Sequence, residues 1–349
     1  MRLMFVYWAF EDQGSGLVIQ GYCEAAKALG HEVAIYGRPN PKIPLNYSLD
    51  IDATDAIVFI FEWTTQLLGG DALDLLRLVT RIPRCRRVIL DGDGNYNDLV
   101  RVDGDFNHRD EAERQRWIDI CDSLSDKICQ PTLHPLRRRV RPFLFYSYNP
   151  AWARPLDGLP REFSMIYVGH SKFRWRPMHR ILRAIEPVRS QFGRVALVGH
   201  GWAALPPWAV PMHLEDAYYS DAAYLSRLGV EVLEPVPFER VIDWMGKAAF
   251  NPVISRPTFT ALRLVTPRFF ETPAASTIPV FGLEAAYVAE IYGPAGAELV
   301  LQDVRGDMLV DIIRRPEHYR ALANGIRHHL ATHHSQTVRL KELIEIVES

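Results

Sequence analysis

The stretch AFNPVISRPTFTALRLVTPRFFETPAASTIPVF, Ala249 to Phe281, decides the fold. An apolar run of Ala249, Phe250, Val253 and Ile254 stops at Ser255-Arg256-Pro257. A loop leads to Thr266-Pro267-Arg268-Phe269-Phe270-Glu271, and a second apolar run covers Ile278 to Phe281. This reads as strand, loop, helix, strand. Thr266 suits an N-cap and Pro267 the first helical position, where an N–H needs no intrahelical partner. A helix starting there aims free N–H groups and its positive dipole end at whatever binds in front of it. Arg268 adds a fixed charge, and Glu271 sits about one turn deeper. Anion donors beside one carboxylate suit a nucleotide. An ordinary capped helix with a solvated Glu271 fits the same residues.

Outward from this unit, short apolar runs alternate with helical patterns in both directions, the signal of βαβ units and a parallel sheet. Leu3 to Tyr7, Val33 to Tyr36, Ala56 to Phe61 and Arg87 to Leu90 read as strands, and Lys127 to Cys129 and Phe143 to Tyr146 as extended. Helices are expected over Leu17 to Leu29, ending at Gly30, from Asp71 to about Thr80, and over Asp110 to Asp122. Pro150, Pro155 and Pro160 punctuate Asn149 to Arg161, the expected linker between a first domain over residues 1–150 and a second over 160–330. From Ser164 to Val168 the alternation resumes, and a helical tail in two or three pieces runs from Asp307 to the end.

In the second half Tyr167-Val168-Gly169-His170 is echoed by Leu197-Val198-Gly199-His200, one βαβ unit later. Ligands of open parallel sheets bind beyond the carboxyl ends of the strands. Both Gly-His pairs are therefore expected at one crevice, although glycines there also relieve crowding. Gly169 to Arg174 supplies backbone donors with Lys172 and Arg174, which suits a diphosphate, or else a solvated turn. Trp202, after Gly199-His200-Gly201, fits a packed residue or a stacking face. Glu234 to Phe238 is a strand-to-helix turn. With Ser255-Arg256 and Thr266 to Glu271, four regions are expected to converge.

In the first half Gln13-Gly14-Ser15-Gly16 turns between strand and helix. Ile19 breaks the G-x-G-x-x-G pattern and no acid directly ends the second strand, which disfavours a dinucleotide site. Asp91-Gly92-Asp93-Gly94-Asn95-Tyr96-Asn97 follows a strand, so Asp91 or Asp93 is a candidate general base. A plain turn and an oxygen-ligand cation site are the alternatives. His108 is a weaker candidate base.

Arg268 to Val280 matches R-x-F-E-x-x-A-x-x-x-x-P-V and resembles the carboxyl-terminal signature of GT-B glycosyltransferases, closest to the group-1 branch that includes the spore-maturation (CgeB-like) proteins. The resemblance implies an α/β fold of two Rossmann-like parallel-sheet domains facing a cleft, with the C-terminal helix crossing back to the first domain. On this expectation residues of about 335–349 belong with the first domain. It implies transfer of a sugar from a nucleotide diphosphate sugar to a hydroxyl or amine of a small-molecule or glycan acceptor. It places the donor ribose on Glu271 and the base near Val236. The donor site then comprises Gly169, His170, Lys172, Arg174, Gly199, His200, Val236, Ser255, Arg256, Thr266, Arg268 and Glu271. Arg268 with Lys172, Arg174 and the helix end neutralises the departing diphosphate, so that no metal or other cofactor is expected. The first domain takes the acceptor, with Gly14, Ser15, Gly16, Tyr96 and His108 as candidates. The chain departs from the pattern at Arg263, where the group-1 families carry a second glutamate. That departure leaves a GT-B-like sugar-nucleotide epimerase and a non-catalytic nucleotide-sugar binder as alternatives.

Composition is consistent with this reading. In 349 residues, 48% hydrophobic and 23% charged with a net charge of −2, two ordinary cores can form. Nothing global attracts nucleic acid, and no nucleic-acid partner is expected. No apolar run approaches the ~20 residues of a bilayer span, and the start reads as a strand instead of a signal peptide. The four cysteines lack metal-site spacing and suit reduced thiols in the cytoplasm. Arg137 to Arg141 reads as a solvated or interface face. His328, His329, His333 and His334 complement a helix end, and Leu205 to Pro211 is a flap or a surface loop.

Overall fold

A computed structural model of the chain describes residues 1–7, 15–37, 39, 41, 44–61, 78–98, 100–103, 105, 111–157, 161–301 and 305–349. The first sheet contains β1 (Arg2–Val6), β2 (Glu32–Tyr36), β3 (Ala56–Phe61), β4 (Arg87–Asp91), β5 (Lys127–Gln130) and β6 (Val140–Pro142). Its order is β2-β1-β3-β4-β5-β6, and every pairing is parallel. Strands such as β3, AIVFIF, are buried along their whole length because helices cover both faces. Among those helices are α1 (Ser15–Ala28) and α2 (Glu111–Leu124).

The second sheet is built the same way. β7 (Phe163–Val168), β8 (Val195–Val198), β9 (Val230–Leu233), β10 (Ala248–Val253) and β11 (Ile278–Phe281) lie in the order β11-β10-β7-β8-β9, again all parallel. α3 (Trp175–Ile185) follows β7, α4 (Ala222–Leu228) follows β8, and α5 (Val241–Met245) follows β9. Between β10 and β11 come the short α6 (Pro257–Ala261) and then α7 (Arg268–Ala274), so the stretch quoted first is strand, two short helices, strand. α8 (Ala285–Tyr292) follows β11.

The helical tail has three pieces, α9 (Gly306–Arg314), α10 (Pro316–His333) and α11 (Gln336–Glu348). α11 returns to the first sheet and packs on α1. A side chain at Gly21 of α1 would collide with Gln336, and Lys127 Nζ donates to the Val347 carbonyl at 2.7 Å. The crossing back of the last helix is thus observed.

The carboxyl edges of the two sheets face each other and touch. Val265 N–H donates to the Pro131 carbonyl at 2.7 Å, and the Tyr287 hydroxyl meets Thr132 Oγ1 at 3.0 Å and the Leu133 N–H at 3.1 Å. Two expectations shift. The sixth strand is Val140–Pro142, drawn partly from the basic run, while Phe143 to Tyr146 is buried but outside the ladder. Residues 78–81 are helical, and the rest of the expected helix from Asp71 lies outside the described residues.

Candidate functional site

The loop after β7 turns back on itself under strain. Phe173 has φ +55°, a left-handed backbone rare outside glycine, held by its N–H to the Ala217 carbonyl at 2.6 Å. Such strain persists only where the surroundings impose it, and it clusters at functional sites. The turn brings Arg174 Nη1 to His170 Nδ1 at 3.1 Å and to the Lys172 carbonyl at 3.0 Å. An imidazole that accepts from a guanidinium must be neutral. Burial lowers the His170 pKa well below the usual value, and the charges of Arg174, Lys172, Arg268 and His200 press the same way. Groups from three loops therefore act on one ring: the cations after β7, Arg268 opening α7 and His200 after β8.

Lys172 shares this environment. Burial, then Arg256, lowers its pKa to about 8, against the opposing pull of Asp93 and Asp105 from the first sheet's side. Asp93 thus faces Lys172 across the cleft, half-buried. At α7 the carboxylate of Glu271 keeps only 4% of its surface exposed. Its described side-chain partner is Arg268 Nη1 at 3.5 Å, beyond good hydrogen-bond length. Burial raises the Glu271 pKa, with Arg268 in partial opposition. A buried carboxylate with one loose ion pair has acceptor capacity to spare for hydroxyl donors. Helix α7 begins at Arg268, one residue past the expected start. Thr266 accepts from the Phe269 N–H through its carbonyl, and no side-chain cap closes the helix.

The other candidates divide. Gly169 and Gly199 meet backbone to backbone: a Cβ on Gly199, at φ +138°, would stand 2.6 Å from the Gly169 carbonyl oxygen. Close packing of the two strand-end turns therefore explains these glycines. Trp202 is packed, fully buried, with Nε1–H on the Gly169 carbonyl at 2.7 Å, and does not offer a stacking face. His200 is exposed and edge-on to Trp208 at 4.7 Å. Val236 lies half-buried in the turn after β9, and Ser255, after β10, has a buried hydroxyl without a hydrogen-bond partner.

Three expectations are corrected. Arg256 is committed to Asp105, Nε to Oδ2 at 2.9 Å and Nη2 to Oδ1 at 2.7 Å, and lies over the Phe173 ring at 4.5 Å. It holds the two sheets' loops together and is not offered to a donor. Asp91 is fully buried and accepts from the N–H groups of Asn95 and Tyr96 and from Gln130 Nε2, all within 2.9 Å. Burial raises its pKa despite these bonds. It ties the turn and reaches no substrate, which leaves Asp93 as the candidate base. Tyr96 is also buried, its hydroxyl on Asp122 Oδ1 at 2.5 Å, so it is not an acceptor contact. Ser15 and Gly16 are buried at the start of α1. Gly14 and His108 lie outside the described residues. The residues missed from sequence are Asp105 and the strained Phe173. Asp105 carried no strand-end signal, and nothing in a phenylalanine announces a positive φ.

No family model and no curated protein sequence matches the chain. Solved structures do. A β-glucosyltransferase described as a DNA-modifying enzyme, in the presence and absence of uridine diphosphoglucose, is 10% identical with a TM-score of 0.58 over 100% of both chains. An α-glucosyltransferase in complex with UDP-glucose and DNA containing an abasic site is 12% identical with a TM-score of 0.59 over 100% of both. The phage T4 β-glucosyltransferase in complex with UDP and Mn2+ is 10% identical with a TM-score of 0.55, again over 100% of both. These structures lend no support to the spore-maturation branch in particular. Among the described residues no helix is long and apolar enough to cross a membrane. The chain has the α/β fold of two parallel sheets seen in GT-B glycosyltransferase structures.

Proposed function

We propose that the chain transfers a sugar from a uridine diphosphate sugar to a hydroxyl acceptor. The observation that carries this reading is the convergence of Lys172, Arg174 and Arg268 on neutral His170 beside the buried Glu271, at the carboxyl edge of the second sheet. Glu271 accepts from the ribose hydroxyls. The cations take the diphosphate, and His170 offers its remaining ring N–H. Asp93 receives the acceptor's proton as the acceptor oxygen attacks the anomeric carbon and the bond to the diphosphate oxygen breaks. Charge that develops on the leaving diphosphate then meets preorganised cations, the strongest form of help available here.

These cations are proposed to serve without a divalent ion. Turnover of UDP-glucose, with and without chelator, tests this directly: equal rates are expected, and a rate that rises only with added Mn2+ overturns it. Calorimetry with UDP, GDP, dTDP and CMP nucleotides tests the donor class, with UDP expected to bind tightest. The acceptor of first choice is a small molecule or glycan, since the net charge of −2 supplies no general attraction to phosphates. A DNA acceptor is the second reading, favoured by the DNA held by one of the similar structures. Incorporation of labelled glucose into duplex DNA, against none into glycans, decides for the second.

A further inference from the structure

A groove of about 450 Å³ opens at the carboxyl ends of β10 and β11, along the first two turns of α3. Neither Arg268 nor Glu271 lines it. Its floor is apolar, from Ile181, Ile254, Leu283 and Leu301, and Val102 and Asp103 of the first domain close one side. On the rim Arg176 and Arg180 stand one turn apart on the same face of α3. Arg176 has only a loose, exposed pair with Asp103 at 3.7 Å, and Arg180 has no described partner. The third arginine there, Arg263, is taken by Glu284 at 2.9 Å. Ser255 lines the groove with its unpartnered hydroxyl.

We propose that this groove is a second binding site, adjoining the candidate donor site at Ser255, for a small phosphate ester with an apolar body. Two guanidinium groups on adjacent turns give a phosphate bidentate contacts of fixed geometry. The aliphatic floor below them covers a hydrocarbon or aromatic group, the mixture usual in small-molecule sites. The two parts explain each other. Arginines alone on a helix surface would be solvated, and an aliphatic floor alone would call for no surplus of positive charge at its edge, where Arg176, Arg180 and Arg263 face Asp103 and Glu284.

Calorimetric titration of the full chain with phenyl phosphate tests the site, with phenol as the control and with UDP absent or saturating. Phenyl phosphate is expected to bind, phenol to bind at least tenfold more weakly, and saturating UDP to leave the affinity unchanged. Arg180→Glu, on an exposed helix surface, is expected to weaken phenyl phosphate about tenfold while UDP affinity and melting temperature stay as in the parent. Displacement by UDP, equal binding of phenol, or an unaltered affinity in the Arg180→Glu protein overturns the proposal. Phenyl phosphate binding in a protein that fails to bind UDP removes the transferase reading and leaves this site standing.

Discussion

Asp105 reaches from the first domain into the second and grips Arg256 with both carboxylate oxygens, at 2.7 and 2.9 Å, while the Thr258 N–H donates to the same carboxylate at 2.8 Å. The Asp105 side chain is fully covered and that of Arg256 is 22% exposed. Burial works to raise the Asp105 pKa, but the bonds from Arg256 and Thr258 outweigh it and hold the group below the usual carboxylate value. Removal of one partner strands the other.

Asp105→Asn should therefore cost about 2–3 kcal/mol, below the full penalty of a stranded buried charge because Arg256 keeps some solvent. The sign with pH follows from the lowered pKa. The stabilisation is present above the unfolded value of about 3.9 and is lost as pH falls through the folded one. Urea melts of parent and variant should converge in acid below about pH 4. A gap that is constant from neutral to acid pH would mean the charge does not hold the loops.

Glu271→Gln is expected to act oppositely on stability and on binding. The raised pKa means that a charged carboxylate there opposes folding at neutral pH, so the amide should stabilise the free protein by about 1 kcal/mol. UDP affinity should fall by about 1–3 kcal/mol, the range for losing hydrogen bonds to a charged group. Melting and calorimetry on the same sample check both; unchanged UDP affinity removes Glu271 from the site.

Lys172 loses its proton near pH 8 in the free protein. Because kcat/KM reports free-enzyme ionisations, it should decline above about pH 8 as the cation disappears. Lys172→Arg should abolish that decline, since a guanidinium stays charged. Lys172→Met should lower kcat/KM about 100-fold below pH 8, and the gap should narrow above it as the parent loses the same charge. A parent profile flat to pH 10 would refute the assignment.

Asp91 and Asp93 should separate cleanly. Asp91→Ala leaves the Asn95 and Tyr96 N–H groups and the Gln130 amide unmet inside the protein, at a cost of about 2–3 kcal/mol. Asp93→Asn should leave stability within about 0.5 kcal/mol and lower turnover about 100-fold. If Asp93→Asn is fully active, the base lies elsewhere.

Sequence periodicity located the strands well because both faces of each parallel sheet are covered, which forces uninterrupted apolar runs such as Ala56 to Phe61 and Ile278 to Phe281. It failed at the edge. Val140–Pro142 joins the ladder through main-chain bonds that an arginine-rich run does not advertise, and the short α6 sits inside what reads as loop. At the site, Arg268 and Glu271 were legible because one helical turn fixes their relation. The fate of Arg256, Asp91 and Tyr96 was not. Each is decided by a partner distant in sequence or by a turn's own N–H groups, and residue type alone gives Asp91 and Asp93 the same chemistry. The repeated Gly-His has a steric reason in the fold, the contact of Gly199 with Gly169.

The return of α11 to α1 has a consequence for biogenesis. During synthesis the first sheet emerges long before the helix that covers the flank of α1 around Gly21 and receives Lys127 at Val347. Until Gln336–Glu348 leaves the ribosome, that flank is uncovered, and the earlier-made domain waits on the later one for a covering layer. Loss of α11 would thus injure the domain made first, and chaperone demand should persist until α11 has been made.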